Sequence, residues 1–241
     1  MTPRLPTRVA LPLAALVLLG GCGTDSSSDD DPSADTSGSD TPTTSPSTPT
    51  SDVPEEETPT APPAAALDTR LLSADELPGV NELTTWSVSS TEAEDGAAHG
   101  SCQKFSLVDI GATSSLVRSY AASGEVAAEQ LLGEFADPKS AWRAHQVVKT
   151  WASECAEMLD AEVEKVSKLS DVPVPGGVAQ QQLLQYGDED AEAHTFAGVA
   201  IVRHGSFLSI VQIDVVGQDY NYDPGAEPAA LAALAANAKL A

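Results

Sequence analysis

Positive charge is scarce in this 241-residue chain, which has 12 lysines and arginines against 36 aspartates and glutamates and a formal net charge of −24. A chain with this balance repels phosphate backbones and anionic lipid headgroups, so the composition argues against nucleic acid and anionic membrane surfaces as electrostatic partners. Long apolar runs are scarce too. Beyond the N-terminal leader, no segment is long and uninterrupted enough to cross a bilayer.

Recognisable catalytic motifs are absent from the sequence. It has no Gly-x-Ser-x-Gly, His-Glu-x-x-His or phosphate-loop pattern. The four histidines are His99, His145, His194 and His204. None of them has a second ligating residue at the spacing of a metal or catalytic site. The acidic run 188–190 lacks the spacing of a calcium loop, and we interpret it as a solvated hairpin tip. We therefore expect no enzyme activity, no metal site and no cofactor.

The N-terminus carries the pattern of a bacterial lipobox. Arg4 and Arg8 precede an apolar stretch that is too short to span a bilayer, and Leu19-Gly20-Gly21 leads into Cys22. We expect residues 1–21 to be a lipoprotein signal peptide and the Cys22 sulfur to carry the lipid. A simple secretory signal that ends by chance in a cysteine is the alternative.

Residues 22–66 have the composition of a tether. After Cys22 the segment consists mainly of Ser, Thr, Pro, Asp and Glu and contains no basic residue. Such a segment buries too little apolar surface to fold, and its prolines and acidic runs favour an extended chain. We expect it to hold a single folded domain, residues 67–241, away from the membrane.

Cysteine is also rare, with three in the chain. If Cys22 carries lipid, Cys102 and Cys155 remain as an even pair in an oxidising compartment, which favours a disulfide. Two separate buried thiols are the alternative.

The folded part shows strand and helix signals in an order typical of an α+β domain. Asp137 and Pro138 begin a long helix whose apolar face includes Trp151 and Cys155. Strands are expected at 116–121, 125–135, 162–168, 178–186, 195–203 and 207–216. A C-terminal helix should span 228–240 with Leu231, Leu234 and Ala238 inward. Short links between the strands predict an antiparallel sheet packed by the two helices, with one inter-element disulfide.

Two shorter predictions complete the secondary structure. Ser73 and Glu76 have capping-box spacing for a short helix. Residues 82–100 are expected to form a loop anchored by buried Trp86 and Val88.

Three aromatic residues are the candidate ligand rim. Trp142 falls outside the apolar stripe of the long helix, and Tyr220 and Tyr222 lie between the last strand and the last helix. Aromatics with polar neighbours can line a ligand site. Ordinary loop packing is the alternative.

The order of these features resembles the extracellular sensor domain of the mycobacterial Ser/Thr kinase PknH and the actinobacterial lipoproteins that carry this domain. The resemblance covers about residues 71–240. It is carried by Leu71-Leu72, Leu77-Pro78, Trp86, Cys102, Gly111-Ala112, Arg118, Tyr120, Phe135, Trp151 through Cys155, and Ala200 through Gly205. It implies an α+β domain with a cleft for an unidentified extracytoplasmic ligand. This chain lacks the kinase domain, the transmembrane helix and the second disulfide of the kinase's sensor domain.

We therefore expect a non-catalytic lipoprotein anchored by lipid to the extracytoplasmic face of the cell membrane, which binds an unidentified small ligand or envelope component in a cleft. The alternative is a protein–protein interaction module of the envelope without a small ligand. An envelope hydrolase is a third and weaker hypothesis, since no reactive residue pair is evident.

Overall fold

The computed structural model describes residues 64–124, 126–159, 163–187 and 192–241. The chain divides into the units Met1–Pro54 and Glu55–Ala241, and every described residue belongs to the second. The predictions for the signal peptide, for Cys22, for nearly all of the tether and for the acidic run 188–190 thus lie outside the described residues.

Eight strands form one antiparallel sheet in the described part of the chain. They are β1 (Ser87–Ala93), β2 (Ala112–Ala121), β3 (Val126–Phe135), β4 (Val163–Val166), β5 (Ser170–Val172), β6 (Val178–Tyr186), β7 (His194–His204) and β8 (Phe207–Gly217). The order across the sheet is β1-β2-β3-β8-β7-β6-β4, and β5 also pairs with β6. Four helices accompany the sheet: α1 (Ala64–Asp68), α2 (Pro138–Ser153), α3 (Cys155–Met158) and α4 (Pro228–Leu240).

Helix α2 covers one face of the sheet. The Asp137 carboxylate accepts a hydrogen bond from the Ser140 backbone N–H (2.7 Å), and Pro138 occupies the first turn, so the helix begins where the sequence predicts. Its buried residues recur at helical spacing and pack on inward side chains of β3, β7 and β8. This layer follows the predicted apolar stripe, and His145, which is 2% exposed, joins it.

Helix α4 covers the opposite face, but it does so with its alanines. Ala232, Ala233 and Ala236 are fully buried, whereas Leu231 and Leu234 are 38% and 41% exposed. The predicted inward face of Leu231, Leu234 and Ala238 is therefore wrong. The helix is apolar on nearly every side, so its sequence carries little periodic signal. The alanine face is the buried one because small side chains let the helix lie close to the sheet.

The N-terminal part of the domain differs from the prediction in two places. Ser73 and Glu76 do pair, with the Ser73 backbone N–H donating to Glu76 Oε2 (2.8 Å), but the segment makes a single turn and no α-helix. Residues 87–93 form the edge strand β1 where a loop is expected. Trp86 is buried as predicted. The predicted burial of Val88 is wrong: it is 43% exposed, because nearly all of this edge strand faces solvent.

A disulfide joins Cys102, in the loop before β2, to Cys155 at the start of α3, with the two Cα atoms 5.0 Å apart. The predicted pairing is confirmed. In the chain-entropy model, closing this loop of 53 residues stabilises the fold by about 4 kcal/mol. The α+β class, the antiparallel sheet and the packing by the long central helix and the C-terminal helix are confirmed as well. None of the described helices is long and apolar enough to cross a membrane.

Candidate functional site

Tyr220 and Tyr222 lie together at the N-terminal end of α4, in the segment that connects β8 to this helix. The ring of Tyr220 stacks on Phe196 of β7 (centroids 5.8 Å apart) and meets the edge of Tyr222 (4.6 Å). The Tyr222 hydroxyl donates to the Val80 carbonyl oxygen (2.8 Å). The two rings are thus held by each other and by neighbours on two other segments, β7 and the segment that contains Val80.

Gly198 of β7 makes the position of Tyr220 possible. A Cβ atom at residue 198 would lie 2.9 Å from the Tyr220 hydroxyl and 3.3 Å from Ala229 Cβ. The ring cannot retreat, since it is stacked on Phe196. A glycine at this point of the sheet therefore admits both the tyrosine and the first turn of α4.

A groove of about 310 Å³ runs between these tyrosines and the edge strands of the sheet. We call it the tyrosine groove. Its walls are Ser167, Lys168, Ser170, Gln181, Gln182, Leu183, Tyr220, Tyr222, Glu227 and Ala229. The strand wall exists because β4 and β5 both pair with β6 and leave residues 167–169 between them. Serine, glutamine and tyrosine residues therefore line one space.

Hydrogen bonds hold the strand wall of the tyrosine groove in place. Ser167 exchanges bonds with Leu183: its backbone N–H donates to the Leu183 carbonyl (2.8 Å), and its Oγ accepts from the Leu183 N–H (2.9 Å). Gln182 donates from Nε2 to the carbonyl oxygens of Ala152 and Ser167 (2.9 Å each). Its Oε1 is buried without a hydrogen-bond partner, and the side chain lies on the side of the sheet that α2 covers.

The electrostatics of the tyrosine groove favour hydrogen bonds with uncharged groups. Burial raises the pKa of Tyr220, and burial with the nearby Asp219 carboxylate raises the pKa of Tyr222. Both phenols stay protonated at neutral pH and can donate or accept hydrogen bonds. Lys168 and Glu227 bring one charge of each sign. Aromatic rings with neutral donors and acceptors suit the binding of a small molecule.

Trp142 does not join this groove. It lies on α2 and is 51% exposed, while the tyrosines lie on the face that α4 covers. The structure therefore does not bring Trp142 together with Tyr220 and Tyr222. The helical projection correctly placed Trp142 outside the apolar stripe. It could not show that α2 and α4 pack on opposite faces of the sheet.

A second polar cluster surrounds Asp214 at the end of β8, on the α2 side. Gln212 Nε2 donates to both Asp214 oxygens (2.9 and 3.1 Å) and to Ser101 Oγ (3.0 Å). Burial raises the pKa of Asp214 to about 6, and the Glu129 carboxylate contributes to the increase. Within the described ranges, no group of three His, Cys, Asp or Glu residues has the geometry of a metal site.

The fold and the site together describe an α+β domain with one antiparallel sheet between two helical layers and a groove at one sheet edge. Among solved structures, the extracellular domain of PknH from Mycobacterium tuberculosis is similar, with a TM-score of 0.48 and 11% sequence identity over 70% of this chain and 93% of that chain. No family model and no curated protein matches the chain. This similarity does not assign the chain to a family.

Of the groove residues, the sequence indicates Tyr220 and Tyr222 and none of the strand wall. Gln181, Leu183 and Ser167 appear in the sequence as ordinary strand and loop residues. The available signal is the break between β4 and β5. This break becomes part of a wall only in the folded sheet, where both strands pair with β6. Whether the groove binds a ligand stays a prediction.

Proposed function

We propose that this protein is a lipid-anchored domain on the extracytoplasmic face of the cell membrane and that it binds a small ligand or envelope component in the tyrosine groove without chemical conversion. The observation that carries the location is the Cys102–Cys155 disulfide. It is typical of an exported domain, and it leaves Cys22 as the one cysteine free to carry lipid at the end of the leader.

The binding role is supported by the construction of the tyrosine groove. Its volume of about 310 Å³ is within the range of small-molecule sites, and its aromatic and amide lining offers stacking and neutral hydrogen bonds. The ligand class that fits is therefore a small polar molecule without a strong net charge. The alternative, a protein-docking module, is tested by the native mass spectrometry described below.

The anchoring is tested by replacing Cys22 with serine in the full chain, expressed in an actinobacterial host. We expect the parent protein in the membrane fraction, with a mature N-terminal peptide that starts at Cys22 and has the mass of an acylated cysteine. The Cys22→Ser protein should lose the acyl group and leave the membrane fraction. The double variant Cys102→Ser, Cys155→Ser is the control, since its N-terminal peptide should still be acylated. An unmodified start at another residue contradicts the proposal.

The ligand role is tested by native mass spectrometry of the protein extracted from its own membranes. We expect a low-molecular-mass compound on the parent chain and its loss from Tyr222→Ala. Trp142→Ala, on the other face of the sheet, is the matched control and should keep it. A stoichiometric protein in place of the small mass favours the docking alternative, and an equal small mass on Tyr222→Ala rejects the groove.

A further inference from the structure

The tyrosine groove has two walls of different chemistry, and the first of them is aromatic. Tyr220 and Tyr222 belong to the segment before α4, and their rings meet at 64° with centroids 4.6 Å apart. Phe196 stacks on Tyr220, whereas in the described part of the chain Tyr222 has a ring contact with Tyr220 alone. Both tyrosines line the groove, so a ligand that enters it meets aromatic surface on this side.

The opposite wall is polar, and the strand register shows that it belongs to the same face of the sheet. Leu183 of β6 pairs with Gly198 of β7, whose missing side chain would point at the Tyr220 hydroxyl. Gln181 lies two residues before Leu183 in β6, so its side chain points to that face as well. Ser170 of β5 pairs with Gln181 and shares its face. A serine and an amide therefore stand across the groove from the aromatic rings.

The groove carries hydrogen-bonding groups that the rest of the described chain does not use. The side-chain amide of Gln181 and the ammonium group of Lys168 have no partner in the described ranges. Glu227, at the start of α4, accepts from the Gly225 N–H through Oε2 (2.6 Å). An amide offers two N–H donors and a carbonyl acceptor, and a carboxylate offers acceptors only. Donors and acceptors are thus both present for a single ligand.

The contrast between the walls restricts the shape of the ligand. A flat aromatic compound is apolar on both faces, so one of its faces would cover the serine and amide groups of the strand wall. Covering polar groups without giving them hydrogen bonds costs free energy. A sugar ring differs, because it has C–H groups on its face and hydroxyl groups around its edge. Such a ring can place its C–H face on an aromatic side chain and turn its hydroxyls to the polar wall.

We infer that the tyrosine groove binds a neutral saccharide, with the C–H face of one sugar ring against Tyr222 and its hydroxyls bonded to Gln181 and Glu227. The inference rests on the proposed function, since it names the ligand class of the same groove. A volume of about 310 Å³ suits a short saccharide, because it lies at the small end of ligand sites. Lys168 and Glu227 contribute one charge of each sign, which favours a neutral sugar over an acidic one.

The saccharide is tested by saturation-transfer difference NMR on the full chain, solubilised in a detergent without a sugar headgroup. The probes are the methyl glycosides of glucose, mannose, galactose and N-acetylglucosamine, and benzyl alcohol is the neutral aromatic comparison. We expect at least one glycoside to receive saturation from the protein, most strongly at the C–H protons of one ring face. That glycoside should bind more tightly than benzyl alcohol does.

Variants of the two walls locate the bound glycoside. Tyr222→Ala and Gln181→Leu should each weaken its binding by about tenfold, since one removes the ring surface and the other the amide. Tyr222→Phe keeps the ring and should keep most of the binding, which separates loss of the ring from a folding defect. Gln146→Leu is the matched control for the amide, because it makes the same change on α2, at the opposite face of the sheet, and it should bind as the parent does.

Two results overturn the inference. One is the absence of saturation transfer from the parent protein to every glycoside. The other is equal affinity of the bound glycoside for the parent, Tyr222→Ala and Gln181→Leu, which would locate it outside the groove.

The failure of this inference is distinguishable from the failure of the proposed function. A compound without sugar rings that native mass spectrometry finds on the parent and not on Tyr222→Ala rejects the saccharide and supports the groove as a binding site. An equal small mass on both proteins rejects the groove, and the saccharide site with it.

Discussion

At the scale of single residues, Gln130 makes the most demanding contacts in the core on the α4 side. It is fully buried, its Oε1 accepts from the Leu72 N–H (2.8 Å), and its Nε2 donates to Ser209 Oγ (3.0 Å). The Tyr120 hydroxyl donates to the Leu72 carbonyl (2.7 Å) beside it. These bonds attach the first segment of the domain to the middle of the sheet. A glutamine within a strand gives no sign of this role in the sequence.

We predict that removing the Gln130 amide lowers the free energy of unfolding more than removing the Tyr120 hydroxyl does. Tyr120→Phe should lower the free energy of unfolding by about 1 kcal/mol, because Arg118 Nη1 still donates to the Leu72 carbonyl (3.0 Å). Gln130→Leu should lower it by about 3 kcal/mol, because it leaves the Leu72 N–H buried without an acceptor. Urea denaturation measures both. Gln218→Leu, on the exposed loop after β8, should change stability by less than about 0.5 kcal/mol, and equal effects of all three would contradict the prediction.

At the scale of elements, local signals fixed most of the secondary structure. Capping chemistry at Asp137 and the spacing of apolar residues located α2, and alternation with short turns located β2, β3, β6, β7 and β8. The sequence did not predict β1, because this edge strand has one half-buried residue and is otherwise exposed, so its sequence shows no apolar alternation. The face of α4 escaped because alanine fits either side of an amphipathic pattern.

The corrected face of α4 leads to a prediction about packing. Ala233→Leu should lower the free energy of unfolding by about 2 kcal/mol, since residue 233 is fully buried against the sheet and extra methylenes overpack it. Leu234→Gln, one residue along, should change it by less than about 0.5 kcal/mol because that side chain is 41% exposed. Thermal and urea denaturation of the two variants check this. A larger loss of unfolding free energy in Leu234→Gln than in Ala233→Leu would indicate that the leucine face of α4 is the buried one.

At the scale of the whole molecule, the candidate site depends on which segments share a face of the sheet. Trp142 and Tyr222 are both aromatic and partly exposed, but they belong to layers on opposite sides of the sheet. The order of strands decides this through pairings between distant segments, such as β3 with β8. No local pattern carries that information. The sequence therefore indicates candidate residues, and the sheet topology determines which of them meet.

The stability of the whole molecule should respond to acid through two groups with opposite signs. The pKa of His145 is lowered to about 4 in the fold, from an ordinary 6.5, so the unfolded chain binds a proton first and acidification through that window lowers the free energy of unfolding. The pKa of Asp214 is raised to about 6, from an ordinary 3.8, so the folded chain binds a proton first and acidification raises it.

We predict that His145→Gln makes the protein lose less stability than the parent between pH 6.5 and 4, and that Asp214→Asn makes it lose more, since each variant removes one of these two contributions. Urea denaturation at a series of pH values measures the free energy of unfolding for all three proteins. The general relief of repulsion on titrating a chain of net charge −24 is common to them and cancels in the comparison. Parallel pH profiles for the three proteins would show that neither group changes its proton affinity on folding.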